Sequence, residues 1–134
     1  MSEFFLPVRV YYEDTDVAGI VYYANYLRFL ERGRTEWIRT LGIDQSVLIE
    51  QGLAFAVAEV NIKYLKPAKF NDLLEVVTRV KQAGRASLMF EQLVRNKENP
   101  ELIYVTADVK AVCITMDTIK PVALPERILE EIAE

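Results

Sequence analysis

Three carboxylates lie close together near the start of the chain, at Glu13, Asp14 and Asp16. They follow a short apolar run at 7–12, and after Gly19 a long amphipathic segment begins. A carboxylate between a strand end and a helix N-terminus can act as a base or a nucleophile. The unpaired N–H groups of the helix start can bind the oxyanion that develops. The segment therefore predicts carboxylate-based catalysis.

The chain contains no histidine, and this absence limits the chemistry further. It excludes Ser–His and Cys–His nucleophile pairs and a His-ligated zinc site. Cys113 is the only cysteine, so an intrachain disulfide and a Cys-rich metal site are excluded as well. We therefore expect no metal ion and no separate cofactor, and a reaction that uses carboxylates, hydroxyls and backbone N–H groups.

The composition is that of an ordinary globular domain. The 134 residues are 51% hydrophobic and 27% charged, which predicts one domain over residues 1–134. The net charge of −4 argues against a broad nucleic-acid-binding face. No window approaches the roughly 18 apolar residues of a membrane span, and the apolar run before Pro7 is too short for a signal peptide. With a single cysteine, these features predict a cytoplasmic protein.

A long helix is predicted from Asn25 to Leu41, followed by Gly42 at the usual helix stop. Its apolar residues recur at helical spacing. They are Tyr26, Leu30, Gly33, Trp37 and Leu41. Because Gly33 is the small member of this series, we expect another element to approach the helix closely there. Glu31 and Arg34 lie three residues apart and predict an ordinary ion pair.

Strands are predicted on both sides of this helix. One covers 7–12, and beyond Gly52 the apolar period changes from helical to two. The later strands are expected at 56–64, 74–80, 86–95 and 102–115. In the first of these, the apolar residues are Ala56, Ala58, Val60, Ile62 and Tyr64. Short helices are expected at 44–50 and 126–133. This order predicts an α+β domain with one antiparallel sheet and a helix on one face. One helix covers only one face, so we expect self-association.

Further motifs are spread over nearly the whole chain. They are Val10-Tyr-Tyr-Glu-Asp-Thr-Asp16, Gly19-x-Val-Tyr22, Tyr26, Glu31-Arg-x-Arg34-Thr-Glu36, Tyr64-x-x-Pro67-Ala68, Asp72, Leu74-Glu75 and Lys120-Pro121-x-x-Leu124-Pro125. In these motifs the chain resembles the hotdog-fold acyl-CoA thioesterases. It is most similar to the 4-hydroxybenzoyl-CoA thioesterase family and its branch of tol-pal-associated acyl-CoA thioester hydrolases.

The resemblance implies a five-stranded antiparallel sheet wrapped around one long helix. It also implies hydrolysis of the thioester of an acyl-CoA or aroyl-CoA, or of an acyl carrier protein. In this family dimers build the active site across the subunit interface, and tetramers are common. We therefore expect a homodimer or a dimer of dimers.

The resemblance also assigns roles to individual residues. Asp16 corresponds to the catalytic aspartate, which either activates a water or attacks the thioester carbonyl itself. Tyr12 corresponds to an active-site tyrosine of the tol-pal branch, and the backbone N–H of Tyr23 to the amide that polarises the thioester carbonyl. Arg85 corresponds to a position that contacts the phosphates of coenzyme A. Lys66, a basic residue at a strand end, is a second candidate for this contact.

Some alternatives stay open at this point. Where tol-pal-type members usually carry histidine, this chain has Tyr23, as the aryl-CoA branch does, so a non-catalytic acyl-CoA-binding or partner-binding protein is the alternative function. Asp16 could serve only in an Asx turn or a helix cap, and we interpret Asp14 as a residue of that structural kind. Tyr26 and Phe55 are, with Tyr23, candidates for the pocket wall. A hotdog dehydratase is excluded, because those enzymes use a histidine.

Overall fold

The computed structural model describes residues 3–133. The predicted domain, residues 1–134, includes residues 1, 2 and 134, which lie outside the described residues. The strands are β1 (Phe4–Arg9), β2 (Leu53–Tyr64), β3 (Leu73–Ala83), β4 (Ser87–Asn96) and β5 (Ile103–Thr115). The helices are α1 (Tyr26–Thr40), α2 (Gln45–Glu50) and α3 (Glu126–Ala133).

The five strands form one antiparallel sheet in the order β1-β3-β4-β5-β2. The strands β3, β4 and β5 are joined in sequence, whereas β1 and β2 lie at the two edges. The helix α1 packs on one face of this sheet, as the sequence predicted for the α+β hotdog fold. Within residues 3–133, no helix combines the length and the hydrophobicity that a membrane crossing requires.

The buried face of α1 holds the apolar series predicted from its spacing. Its buried residues are Tyr26, Phe29, Leu30, Gly33, Trp37 and Ile38. The ring of Trp37 meets that of Phe90 on β4 edge to face, with centroids 5.5 Å apart. Gly33 lies against β3, where a Cβ atom would come within 2.7 Å of the Thr78 hydroxyl oxygen. The predicted close approach at Gly33 is therefore confirmed.

The first strand differs from its prediction, because β1 covers Phe4–Arg9 and not residues 7–12. Arg9 pairs with Leu73, the first residue of β3, and Val10 still bonds across, since its N–H donates to the carbonyl of Asp72 at 2.9 Å and its carbonyl accepts from the N–H of Asn71 at 3.0 Å. The chain then turns into a short 3₁₀ helix at Tyr12–Asp14. Tyr12 thus lies on a turn, which leaves its side chain 82% exposed.

A bulge interrupts the alternation predicted for β2. The register shifts between Val57 and Glu59. Ala56 pairs with Val112 and Val60 with Val109. Because Val112 and Val109 are three residues apart on β5, Ala56 and Val60 face opposite sides of the sheet. The prediction that one face holds every second residue from Ala56 to Tyr64 was wrong.

The ion pair predicted on α1 does not form within the described residues. The guanidinium of Arg34 points towards the sheet and donates to the side-chain oxygen of Gln92 at 3.1 Å. Burial lowers the pKa of Arg34, and the nearby Glu31 charge offsets part of this effect. Arg34 leaves the surface because Gln92, itself 2% exposed, offers a hydrogen-bond acceptor that solvent does not reach.

Candidate active site

Asp16 lies at the tip of a small hairpin between β1 and α1. The N–H of Tyr22 donates to the carbonyl of Asp14 at 2.9 Å, and that of Asp16 to the carbonyl of Ile20 at 2.9 Å. The turn closes with a 3.0 Å bond from the N–H of Gly19 to the carbonyl of Asp16. Gly19 has a φ of +78°, a value that suits glycine. The backbone bonds of this turn therefore fix the positions of Asp16 and Gly19.

The two carboxylate oxygens of Asp16 have different surroundings. Oδ1 accepts a hydrogen bond from the N–H of Ala18 at 2.9 Å, which is an Asx turn. Oδ2 accepts no hydrogen bond from the described part of the chain. Asp16 lines a cavity of about 420 Å³. The Asx turn that was the structural alternative for this residue is present, and it leaves the second oxygen available to a ligand.

The wall of this cavity is largely aromatic and apolar. Its other lining residues include Tyr12, Val17 and Phe70. The rings of Tyr12 and Phe70 meet edge to face with centroids 6.0 Å apart. Tyr12 is thus brought beside Asp16, as the sequence predicted. Phe70 was missed, since it lies 54 positions away from Asp16 and belongs to no motif.

Tyr23 begins a short 3₁₀ turn, Tyr23–Asn25, that leads into α1. The first N–H groups of such a turn have no partner inside it, and within residues 3–133 the N–H of Tyr23 donates no hydrogen bond. The predicted backbone donor is therefore available. Because Tyr22 pairs with Asp14, Tyr23 follows directly on the hairpin that carries Asp16.

A second cavity, of about 330 Å³, lies next to Tyr23. It is lined by Ile20, Val21, Tyr23, Tyr26, Tyr64, Leu65, Lys66 and Pro67. Two predicted residues, Tyr23 and Lys66, share this cavity, while Asp16 lines the neighbouring one. Of the aromatic candidates for the wall, Tyr26 is present and Phe55 is not.

Two tyrosine hydroxyl groups of this second cavity, those of Tyr64 and Tyr26, are bound to the backbone. Tyr64 donates to the carbonyl of Tyr23 at 3.1 Å, and the Tyr26 hydroxyl accepts from the N–H of Ala68 at 3.1 Å. Burial is the main cause that raises the pKa of Tyr64 and of Tyr26. Both rings therefore present neutral, apolar faces to a ligand at neutral pH. Tyr64 was part of a sequence motif, but nothing in the sequence indicated its contact with Tyr23.

Arg85 lies far from these cavities within one chain. It follows β3, which begins at Leu73 near Asp16 and is 11 residues long. At about 3.3 Å per residue, β3 spans about 36 Å, and Arg85 lies beyond its far end. The structure therefore does not bring Arg85 to Asp16 in a single protomer.

No group of three or more His, Cys, Asp or Glu side chains that could hold a metal ion occurs in residues 3–133. Within the described residues, the site contains the Asp16 carboxylate with a free oxygen, the free N–H of Tyr23 and two mostly apolar cavities. Such a set suits attack on a carbonyl carbon whose oxygen is held by an N–H donor.

Residues 10–132 match the Thioesterase-like superfamily. The chain belongs to this family. The acyl-CoA thioesterase YbgC of Haemophilus influenzae is 48% identical over 127 residues, which cover 93% of this chain and 90% of that protein. The acyl-CoA thioester hydrolase YbgC of Escherichia coli O157:H7 is 42% identical over 125 residues, covering 93% of this chain and 92% of that protein.

Solved structures give the same result for the fold. A probable thioesterase from Bartonella henselae is 35% identical, with a TM-score of 0.86 over 92% of this chain and 100% of that one. A 1,4-dihydroxy-2-naphthoyl-CoA thioesterase from Synechocystis is 24% identical, with a TM-score of 0.91 over 99% of this chain and 97% of that one. The predicted family and fold are confirmed, and the activity named for the relatives agrees with the predicted thioesterase. The roles of Asp16, Tyr12, Tyr23, Arg85 and Lys66 stay predictions.

Proposed function

We propose that this protein hydrolyses the thioester of an acyl-CoA or aroyl-CoA, or of an acyl group on a carrier pantetheine, with Asp16 as the catalytic carboxylate. The observation that carries the proposal is the state of this side chain. One oxygen is fixed by the N–H of Ala18, and the other is free and lines a cavity. The thioesterase names of relatives at 42% and 48% identity support the same conclusion.

In the proposed reaction the N–H of Tyr23 holds the thioester carbonyl oxygen while charge develops on it. In one route Asp16 takes a proton from water, the hydroxide adds to the carbonyl carbon, and the coenzyme A thiolate leaves. In the other route Asp16 attacks the carbonyl, expels the thiolate and forms an anhydride that water opens. A rapid acid quench and mass spectrometry distinguish the routes, because only the second places the acyl group on the peptide that contains Asp16.

The first prediction concerns Asp16→Asn. The amide oxygen of asparagine can still accept from Ala18, so the turn and the melting temperature should be preserved. The variant has neither a base nor a nucleophile, and turnover should fall by about 10²–10⁴-fold. Thiol release from a panel of acyl-CoA and aroyl-CoA esters measures this change.

Glu13→Gln is the matched control, because it neutralises an exposed carboxylate three residues away that does not line the Asp16 cavity. Its turnover should equal that of the wild type. If Asp16→Asn keeps its rate, the Asp16 mechanism is wrong. If the wild type binds acyl-CoA and releases no thiol from any ester, the protein is of the binding-only type.

We also propose that the working form is a homodimer paired through β2. This strand has a neighbour, β5, on one side and lies at the sheet edge on the other. It is 12 residues long, and Val57 and Val60 are exposed on it. The free N–H and C=O groups along such an edge strand can pair with another chain. We also propose that the protein is cytoplasmic, as the sequence predicted.

An antiparallel β2–β2 pair would place Arg85 of one copy near the site of the other. The start of β2 lies beside Arg85, since Phe55 pairs with Cys113 and the N–H of Cys113 donates to the carbonyl of Ala86. The end of β2, Tyr64, contacts Tyr23. Antiparallel pairing brings these two ends together. Coenzyme A phosphates could then contact Lys66 of one copy and Arg85 of the second copy.

Complementation tests this arrangement. A mixture of Asp16→Asn and Arg85→Ala subunits, unfolded together and refolded, forms heterodimers in which one site combines an intact Asp16 with an intact Arg85 from the other copy. Activity at low substrate concentration should then exceed that of either variant alone. Sedimentation should give twice the 15.4 kDa mass of the chain. If the activity does not increase on mixing, each site uses the Arg85 of its own chain or does not use Arg85.

A further inference from the structure

Two buried polar side chains that the proposed chemistry does not use face each other behind the site. Asp14 and Asn25 are each 7% exposed. The side-chain amide of Asn25 donates to Oδ1 of Asp14 at 2.9 Å, and the N–H of Tyr11 donates to Oδ2 at 2.8 Å. Both carboxylate oxygens of Asp14 are therefore occupied, in contrast to those of Asp16.

These bonds join the two segments that carry the reacting groups. Asp14 lies two residues before Asp16, and Asn25 lies two residues after Tyr23 and ends the same 3₁₀ turn. The carbonyl of Asp14 also accepts from the N–H of Tyr22 at 2.9 Å. One residue thus connects the Asp16 hairpin with the start of α1 through both its side chain and its backbone.

We propose that Asp14 and Asn25 are positioning residues for thioester hydrolysis. Their hydrogen bond sets the distance between the Asp16 carboxylate and the N–H of Tyr23, while neither side chain contacts the substrate. This inference rests on the proposed function of Asp16 and Tyr23. A pair used only for stability could lie anywhere in the core. This pair spans the two elements whose relative position the reaction depends on.

The test is an exchange of the two side chains. Asn25→Asp places two carboxylates against each other, so the hairpin and the turn should separate. A misplacement of about 1 Å costs on the order of 10²-fold in rate, so kcat should fall by about 10- to 100-fold with little change in KM. Adding Asp14→Asn restores a donor and an acceptor: the new asparagine accepts from Tyr11 and donates to the new aspartate. This double variant should recover kcat by about tenfold.

The matched control is another buried hydrogen-bonded pair that lies away from the site. The amide of Gln92 donates to the Thr78 hydroxyl at 2.8 Å, and Thr78 is fully buried. Thr78→Val should lower the melting temperature and leave kcat unchanged. If Asn25→Asp lowers the melting temperature similarly but keeps the wild-type kcat, or if the double variant stays as slow as Asn25→Asp, the positioning role is wrong.

A failure of the positioning role can be distinguished from a failure of the proposed function. If Asp16→Asn loses turnover while Asn25→Asp keeps it, the positioning role alone fails. If the wild type hydrolyses no ester, the proposed function fails, and amide hydrogen exchange followed by NMR then decides the structural part. Asn25→Asp should speed exchange at Tyr22 by about tenfold, and the double variant should reverse this. Unchanged exchange at Tyr22 would show that the pair does not hold the two segments together.

Discussion

Asp14 and Asp16 show at the scale of single residues how the same side chain takes two roles. Asp14 is buried, and both its oxygens accept hydrogen bonds, from Tyr11 and Asn25. Asp16 is partly buried, and its second oxygen lines a cavity. The difference lies in the donors that surround each carboxylate and not in the residue type. Only Asp16 has an oxygen to offer to water or to a carbonyl carbon.

The residue prediction at this scale concerns Tyr23→Phe. If the backbone N–H of this residue polarises the carbonyl, the phenol hydroxyl is dispensable, and kcat/KM should stay within a few-fold of the wild type. Its ring contacts with Tyr22 and Tyr64 would be retained. Steady-state thiol release measures the effect, with Asp16→Asn assayed beside it. A loss of about 10²-fold or more would assign proton donation to the side chain instead.

At the scale of elements, the contact between α1 and the sheet depends on one small residue. Gly33 faces Val76 and Thr78 on β3 and Gln92 on β4. The Gln92 side chain also donates to the carbonyl of Leu30 on α1 at 2.9 Å. The middle of α1 is therefore held close to the sheet, because side chains of β3 and β4 reach its backbone at Leu30 and Gly33.

Gly33→Ala should destabilise the fold even though alanine favours helices. The new Cβ would lie 2.7 Å from the Thr78 hydroxyl oxygen and 2.8 Å from a Val76 methyl carbon, so these buried side chains or the helix must shift. Such overpacking costs about 1–3 kcal/mol, against a helix-propensity gain of about 1 kcal/mol. Urea unfolding should show a net loss of up to about 2 kcal/mol. Glu31→Ala, on the exposed side of α1, is the control and should change stability little; a Gly33→Ala variant more stable than wild type would contradict the packing.

At the scale of the whole molecule, the predicted site residues are divided between the two ends of the sheet. Asp16, Tyr23 and Lys66 lie at one end and Arg85 at the other, about 36 Å away along β3. Around the first end several aromatic side chains are exposed. They are Tyr11, Tyr12, Tyr22, Tyr23, Tyr64 and Phe70. An isolated protomer leaves this surface open to water, which agrees with the proposed pairing through β2.

Stability at alkaline pH reports on the buried tyrosines of the whole fold. Burial is the main cause that raises the pKa of Tyr26 and Tyr104 above the usual value of about 10. Above pH 10 the folded protein therefore holds protons that the unfolded chain has lost, so the free energy of unfolding should fall as pH rises. Urea unfolding between pH 8 and about pH 11 measures this. Tyr26→Phe should give a shallower fall than the control Tyr12→Phe, which removes an exposed hydroxyl; equal slopes would contradict it.

The elements of this protein could be predicted from the sequence because each depends on a local period. The α1 prediction, Asn25 to Leu41, differs from Tyr26–Thr40 by one residue at each end. The strand predicted at 102–115 likewise corresponds to β5, Ile103–Thr115. The family motifs then predicted the hotdog sheet around α1. Periodicity and motif spacing are properties of neighbouring residues, so they can be read without the fold.

Other features were decided only when distant residues met. The chain turns away from the sheet after Val10, whose backbone still bonds Asp72 and Asn71, and Arg34 turns inward because Gln92 offers an acceptor 58 residues away. The bond between Asp14 and Asn25 likewise depends on the path of the hairpin. The sequence alone does not show which of several possible hydrogen-bond partners a side chain meets. Only the tertiary structure decides this, because hydrogen bonding and burial depend on distance in space and not on distance along the chain.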